Sequence, residues 1–139
     1  MSVNLNALKQ YKNVDLRATA ETASPHKLIE MLIDGALGAM AKAKGAIERG
    51  SIEERTQHVN KAVEIVIGLR GSLDHEQGGE VSGNLDSLYE YMTRTLMLAN
   101  RENDGERVQE VMNLMLEIKQ GWAGMPEDVK QGKAAAENA

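Results

Sequence analysis

Apolar side chains recur every three or four residues through four stretches of this chain, and each stretch is flanked by residues that start or stop helices. Ser24-Pro25 offers an N-cap and then a proline at the first helical position, where its missing N–H costs nothing. Lys27 rather than an acid stands three residues after Ser24, so this end carries no capping box. Gly50 supplies the left-handed residue that ends a helix over 24–49. Ser51 and Glu54 stand at capping-box spacing and open a second helix, which runs to Gly78-Gly79. A third begins at Ser82 or Asn84 and runs to Arg101. A fourth begins at Asn103 or Asp104, with Asn103 and Glu106 at capping-box spacing, and ends near Trp122 before Gly124 and Pro126. No stretch alternates β-branched with polar residues, so no strand is predicted. The expected fold is all-α: an antiparallel four-helix bundle with a short N-terminal helical arm.

Placed at about 100° per residue, the apolar positions cover wide arcs. On the first helix Leu28, Leu32, Ala36, Ala39, Ala43 and Ala46 form one stripe, which Ile29, Met40 and Ile47, then Ile33 and Leu37, widen to roughly 180°. The second carries Val59, Ala62, Val63, Ile65, Val66, Ile67, Leu69 and Leu73 over roughly 200°. The third, with Leu85, Leu88, Tyr89, Tyr91, Met92, Leu96, Leu98 and Ala99, and the fourth, from Val108 to Trp122, are apolar over about half their girth. A bundle needs somewhat over 100° per helix. Close approach at the alanines of the first helix absorbs part of the excess. The remainder is taken up by tight packing or by an exterior groove that holds something helical.

The flanks differ from this body. Leu5, Leu8 and Tyr11 repeat every three residues, as one face of a short helix does, and residues 13–23 are a polar tether. Docking those three side chains yields roughly 1.5–3 kcal/mol each, against roughly 1–2 kcal/mol for each of about eight residues ordered. The ordering cost equals or exceeds the gain, so the arm docks weakly at best, which describes a displaceable lid over residues 1–23. Residues 125–139 have little to bury and read as a disordered tail after a 24–124 bundle.

Charge and composition narrow the function. Sixteen Lys and Arg against twenty-one Asp and Glu leave a net charge of −5 over 139 residues. No basic stripe is present to displace phosphate counterions, so nucleic acid is excluded as a partner. The longest run free of charged, amide or hydroxyl side chains is seven residues, Gly35 to Ala41. That is far too short for membrane insertion. The start, Met1 to Leu5, has neither a charged nor an apolar leader region, and a cytoplasmic protein is expected. The absence of Cys removes disulfides, thiolate zinc sites and thiol nucleophiles. With no Phe, one Trp and three Tyr, the core must be filled by aliphatic residues and Met.

Catalytic and metal readings fail on spacing. A di-iron bundle needs Glu-x-x-His on two helices, whereas His26 and Glu30, and Glu54 and His58, are four apart and His75 directly precedes Glu76. These histidines read as surface or capping side chains. No phosphate loop, nucleophile elbow or paired catalytic carboxylates occur. No enzyme, cofactor or metal is expected.

The run Thr22-Ala23-Ser24-Pro25-His26-Lys27-Leu28-Ile29-Glu30-Met31-Leu32-Ile33-Asp34-Gly35-Ala36 resembles the signature of the flagellar secretion chaperone family FliS. So do Leu85-x-x-Leu88-Tyr89-x-Tyr91-Met92, the following Leu96-x-x-Ala99-Asn100-x-x-Asn103-Asp104, and Val108-x-x-Val111 leading to Ile118 and Trp122. The resemblance covers residues 1 to about 124 in order. It implies a cytoplasmic chaperone that binds the disordered C-terminal segment of flagellin, prevents premature polymerisation and delivers the subunit to the type III export gate. It also implies contact with the cytoplasmic domain of the export-gate protein FlhA through the N-terminal segment, to which Leu8 and Tyr11 correspond, and lineage-dependent partners such as FlgM or FliW. The client surface expected here comprises Ile29, Ile33, Leu37 and Met40 on the first helix and Val63, Ile67, Tyr91 and Leu98 on the next two. The competing class is a structural homodimer whose extra apolar surface is a permanent seam.

Overall fold

A computed structural model describes residues 24–124, and four helices account for nearly all of them: α1 (Pro25–Arg49), α2 (Ile52–Gly71), α3 (His75–Glu102) and α4 (Gly105–Ala123). Helix α1 packs on α2 and α4, and α3 packs on the same two from the other side, which makes an up-down-up-down four-helix bundle. The expected N-terminal arm, with Leu5, Leu8 and Tyr11, and the tail over 125–139 lie outside the described residues.

Helix α1 begins as its sequence predicts. The Ser24 hydroxyl accepts the Lys27 backbone N–H at 3.2 Å, and Pro25 occupies the first turn. It stops at Gly50, whose φ of 70° is left-handed. The Gly50 and Ser51 amides close on Ile47 and Ala46 carbonyls at 3.1 and 2.9 Å.

Three boundaries depart from expectation. The Ser51 hydroxyl makes no capping bond, and the reciprocal half of the box is absent too, since the Ser51 amide donates to the Ala46 carbonyl at 2.9 Å and the Glu54 carboxylate takes the Arg49 guanidinium at 2.6 Å. Helix α2 ends at Gly71, about two turns before the expected Gly78-Gly79. There the buried Ser72 hydroxyl donates to the Leu69 carbonyl at 2.7 Å, and Asp74 caps a new helix by accepting the Glu76 and Gln77 amides at 3.1 and 3.2 Å. That new helix lasts one turn. At Gly79 the backbone adopts φ 53° and ψ −127°, a region open to glycine alone, and the chain turns a corner before the long body of α3. Ser82 locks the corner by donating to the Asp74 carbonyl at 3.1 Å. Gly78 clears the way for it, since a Cβ there would lie 1.8 Å from the Ser82 hydroxyl.

The α3–α4 turn resolves the remaining choice of start. Asn103 is left-handed (φ 54°, ψ 46°) and ends α3, so it is Asp104 that caps α4, accepting the Glu106 and Arg107 amides at 3.1 and 3.3 Å. From α2, Arg55 ties this turn down. Its Nε donates to Asn100 Oδ1 and its Nη1 to Asn103 Oδ1, both at 2.8 Å, while the Thr56 hydroxyl donates to the same Asn100 oxygen at 3.2 Å. Further along, Arg70 grips Asp86 with two bonds, at 2.7 and 3.1 Å, fixing α2 against the first full turns of α3. The Arg70 guanidinium beside Asp86 holds that carboxyl below its usual range and raises its own pKa in return.

The core is aliphatic and methionine-rich. Leu32, Ile33, Met40, Val59, Ile65, Val66, Leu69, Met92, Leu96, Val108, Val111 and Met115 are fully buried, and Tyr89 and Trp122 are buried with them. Ala36, Ala39, Ala43 and Ala46 are all buried along one stripe of α1. A stripe of single methyl groups lets α1 sink between α2 and α4, where a longer side chain would hold it off.

Candidate functional site

The wide apolar arcs are only partly spent on this core. Ile67 on α2 and Tyr91 and Met97 on α3 remain 48%, 37% and 59% exposed, and Ile52, Val81 and Leu116 are exposed too. Of these, Tyr91 and Met97 belong to a hollow. Tyr91, Arg94, Thr95, Met97, Leu98 and Arg101 of α3, with Arg107 of α4, line an open groove of about 560 Å3 beside the α3–α4 turn. That lies within the size range of ligand clefts.

The groove follows from local rules. Tyr91, Thr95 and Leu98 lie at i, i+4 and i+7, so they share one face of α3 and lay a largely apolar floor. The Tyr91 hydroxyl reaches across to α4 and donates to the Glu110 carboxylate, fixing the ring. Arg94 lies 5.8 Å above that ring and pairs with Glu90 at 3.0 Å one turn back. Arg107 is held by Asp104 at 3.0 Å and Glu102 at 3.6 Å. Arg101 differs from both. Among the described residues it makes no hydrogen bond and no ion pair, and it projects from the last turn of α3 into the groove. The lining therefore presents three guanidinium groups, one of them uncommitted, around an apolar strip.

At the opposite end of the bundle α1 and α4 enclose a smaller hollow of about 140 Å3, lined by Glu30, Ile33, Asp34, Lys119, Trp122 and Ala123. The Trp122 indole N–H donates to the His26 carbonyl at 3.3 Å, and the two rings lie 5.3 Å apart. Lys119 closes over it on Asp34 at 2.8 Å, and that carboxylate raises the pKa of the ammonium. This pairing joins helix ends and leaves little room for a ligand.

The eight residues expected to face a client divide into three groups. Ile29, Ile33 and Met40 are closed inside the core, because the alanine stripe lets α2 and α4 cover both flanks of α1; they open no groove in this structure. Leu37 and Val63 are half-buried against the core, and Ile67 is exposed on α2 away from the hollow. Tyr91 and Leu98 alone come together in the groove. Apolar periodicity missed Arg94, Met97, Arg101 and Arg107. The signal available was charge: Arg94 and Arg101 are seven apart, hence on one face of α3.

Comparison with known proteins gives the setting. The family described as Flagellar protein FliS matches residues 7–129. The flagellar secretion chaperone FliSB of Pseudomonas aeruginosa is 47% identical over 121 residues, covering 87% of this chain and 96% of that protein. The flagellar secretion chaperone FliS of Salmonella typhimurium is 40% identical over 118 residues, 84% of this chain and 87% of that protein. The FliS of Vibrio cholerae is 35% identical over 129 residues, 93% of this chain and 95% of that protein. With that family match over residues 7–129 and relatives of this identity and coverage, the chain belongs to the FliS family of flagellar proteins.

Proposed function

We propose that this chain is a flagellar export chaperone that binds the disordered C-terminal segment of flagellin, keeps it from polymerising prematurely and delivers it to the export gate. The observation that carries the reading is the family match over residues 7–129 to relatives that are flagellar secretion chaperones. The bundle adds a physical reason. Its core is complete without a partner, yet exposed apolar side chains remain on α2, α3 and α4. A segment too poor in apolar residues to fold alone gains order by laying its few anchors on such a surface. The role is binding rather than catalysis. No helix among the described residues is long and apolar enough to cross a membrane, and the reading places the chain in the cytoplasm, where export begins.

In this reading the N-terminal segment, with Leu5, Leu8 and Tyr11, is the displaceable lid and the contact for the FlhA cytoplasmic domain. FlgM or FliW are further partners where the lineage uses them. Calorimetric titration with the C-terminal segment of the cognate flagellin tests the central claim. Binding buries on the order of 1,000–3,000 Å2 and gives a markedly negative heat-capacity change. No heat and no co-elution would remove the reading, and a concentration-independent homodimer that the segment leaves intact would favour a permanent seam instead.

A further inference from the structure

We infer that Met97 is a reversible oxidation site through which peroxide weakens the hold of the bundle on its client while leaving the bundle folded. The inference rests on the export-chaperone reading and adds a modification site to it.

Sulfur chemistry in this chain belongs to methionine alone, since there is no Cys. Among the described residues the thioethers differ sharply in access. Met40, Met92 and Met115 are fully buried, Met31 and Met112 are half-buried, and Met97 is 59% exposed. The other large aliphatic side chains left in water, Ile52, Ile67, Val81 and Leu116, are hydrocarbons with no lone pair to offer an oxidant. The Trp122 indole is sealed in the core. Oxidation follows access, so within the bundle a peroxide meets Met97 first.

The step is an oxygen-atom transfer. A sulfur lone pair attacks hydrogen peroxide, the S–O bond forms as the O–O bond breaks, and the second oxygen leaves as water with both peroxide protons. The thioether loses two electrons and the peroxide gains them. Methionine sulfoxide reductases reverse the change: two thiols become a disulfide and the oxygen leaves as water. Those thiols come from the reductase, because this chain has none.

Position makes the modification consequential. Met97 lines the groove beside the α3–α4 turn together with Tyr91 and Leu98. Its sulfoxide replaces a soft apolar contact by a polar, chiral S–O group, which an apolar anchor of the client must desolvate in order to dock. Arg94 and Arg101, three residues before and four after, share its side of α3. Arg101 makes no hydrogen bond and no ion pair among the described residues and has donors for the new oxygen, which hold the oxidised side chain at the groove. No core side chain changes, so the fold is kept.

The test treats the intact protein with hydrogen peroxide, follows each methionine by peptide mass spectrometry, and titrates treated and untreated protein with the C-terminal segment of the cognate flagellin. Met97 is expected to oxidise at least about tenfold faster than Met40, Met92 or Met115. The oxidised protein is expected to bind about threefold or more weakly, to melt at an unshifted temperature by circular dichroism, and to regain its affinity after treatment with methionine sulfoxide reductases. Met97→Leu is compared only with itself, and its affinity is expected to be the same before and after peroxide. Met1 and Met125, outside the described residues, stay oxidisable in that variant and are thereby controlled for. Met97→Gln carries a polar group near the place of the sulfoxide and is expected to bind about as weakly as the oxidised wild type. A Met97 rate no faster than that of the buried methionines, unchanged affinity after its oxidation, or an equal loss in peroxide-treated Met97→Leu overturns the inference while leaving the chaperone reading intact. Failure of the untreated protein to bind the segment overturns both.

Discussion

Replacing Arg55 by alanine tests the account of how the bundle holds its groove. Arg55 is the only link described between α2 and the α3–α4 turn that reaches both Asn100 and Asn103, at 2.8 Å each, and that turn sets the positions of Arg101 and Arg107. The bond to Asn100 is half-buried and the bond to Asn103 is exposed. A hydrogen bond from a charged donor is worth about 1.5–3 kcal/mol when sheltered, and an exposed one under about 1 kcal/mol. The Asn100 oxygen keeps the Thr56 hydroxyl at 3.2 Å after the substitution, so it is not stranded. The expected loss is about 2–3 kcal/mol. For a domain near a hundred residues that lowers Tm by roughly 10–20 °C. Urea unfolding followed by helical circular dichroism measures it, and hydrogen exchange at the Glu106 and Arg107 amides reports whether the Asp104 cap loosens with it. Arg55→Lys keeps the charge but loses the fork, and is expected to recover less than half of the loss. A loss under about 0.5 kcal/mol for Arg55→Ala, the level of an ordinary surface change, or full recovery by lysine, would refute the clamp.

Gly79→Ala is expected to destabilise by about 1–3 kcal/mol, because φ 53° with ψ −127° excludes a Cβ; a gain in urea stability instead would mean that α3 runs straight through this point. Met40→Ala removes a fully buried side chain and is expected to cost about 2–5 kcal/mol in the same assay, whereas a cost below about 1 kcal/mol would place it at a surface. Burial pushes the Tyr89 phenol up, so the unfolded chain ionises near pH 10 while the folded chain stays neutral. The unfolded state then binds fewer protons, and stability falls as pH rises above about 10. Tyr89→Phe is expected to remove that part of the alkaline decline, and an unchanged profile would show that the phenol is not sheltered.

Helix count, all-α class and most boundaries were legible because they depend on neighbours in sequence. Ser24-Pro25 and Gly50 acted as written, since a cap needs only its own turn. Ser51 opened α2 without a capping box, since its amide goes to the Ala46 carbonyl and Glu54 to Arg49, competitions that spacing does not rank. Asn103 and Asp104 were both eligible to start α4. Arg55, 48 residues away, fixes Asn103 as the left-handed stop and leaves Asp104 to cap. The break marked at Gly78-Gly79 proved to be a corner inside α3, whereas the end of α2 at Gly71 was missed for a related reason: the α2–α3 connection is set by Ser82 reaching back to Asp74, which sequence spacing does not reveal.

The sequence alone established the family motifs, four amphipathic helices and apolar arcs wider than a bundle seam requires. It could not assign which side of each arc is sealed, because a helical wheel gives angles about one axis and says nothing of the depth at which neighbours pack. Tertiary structure decided that. The buried alanines of α1 draw α2 and α4 over Ile29, Ile33 and Met40, whereas α3 carries a row of arginines that cannot enter the interior and so stays open beside α4. The groove exists because burying those guanidinium groups would cost more than the apolar floor beneath them could return.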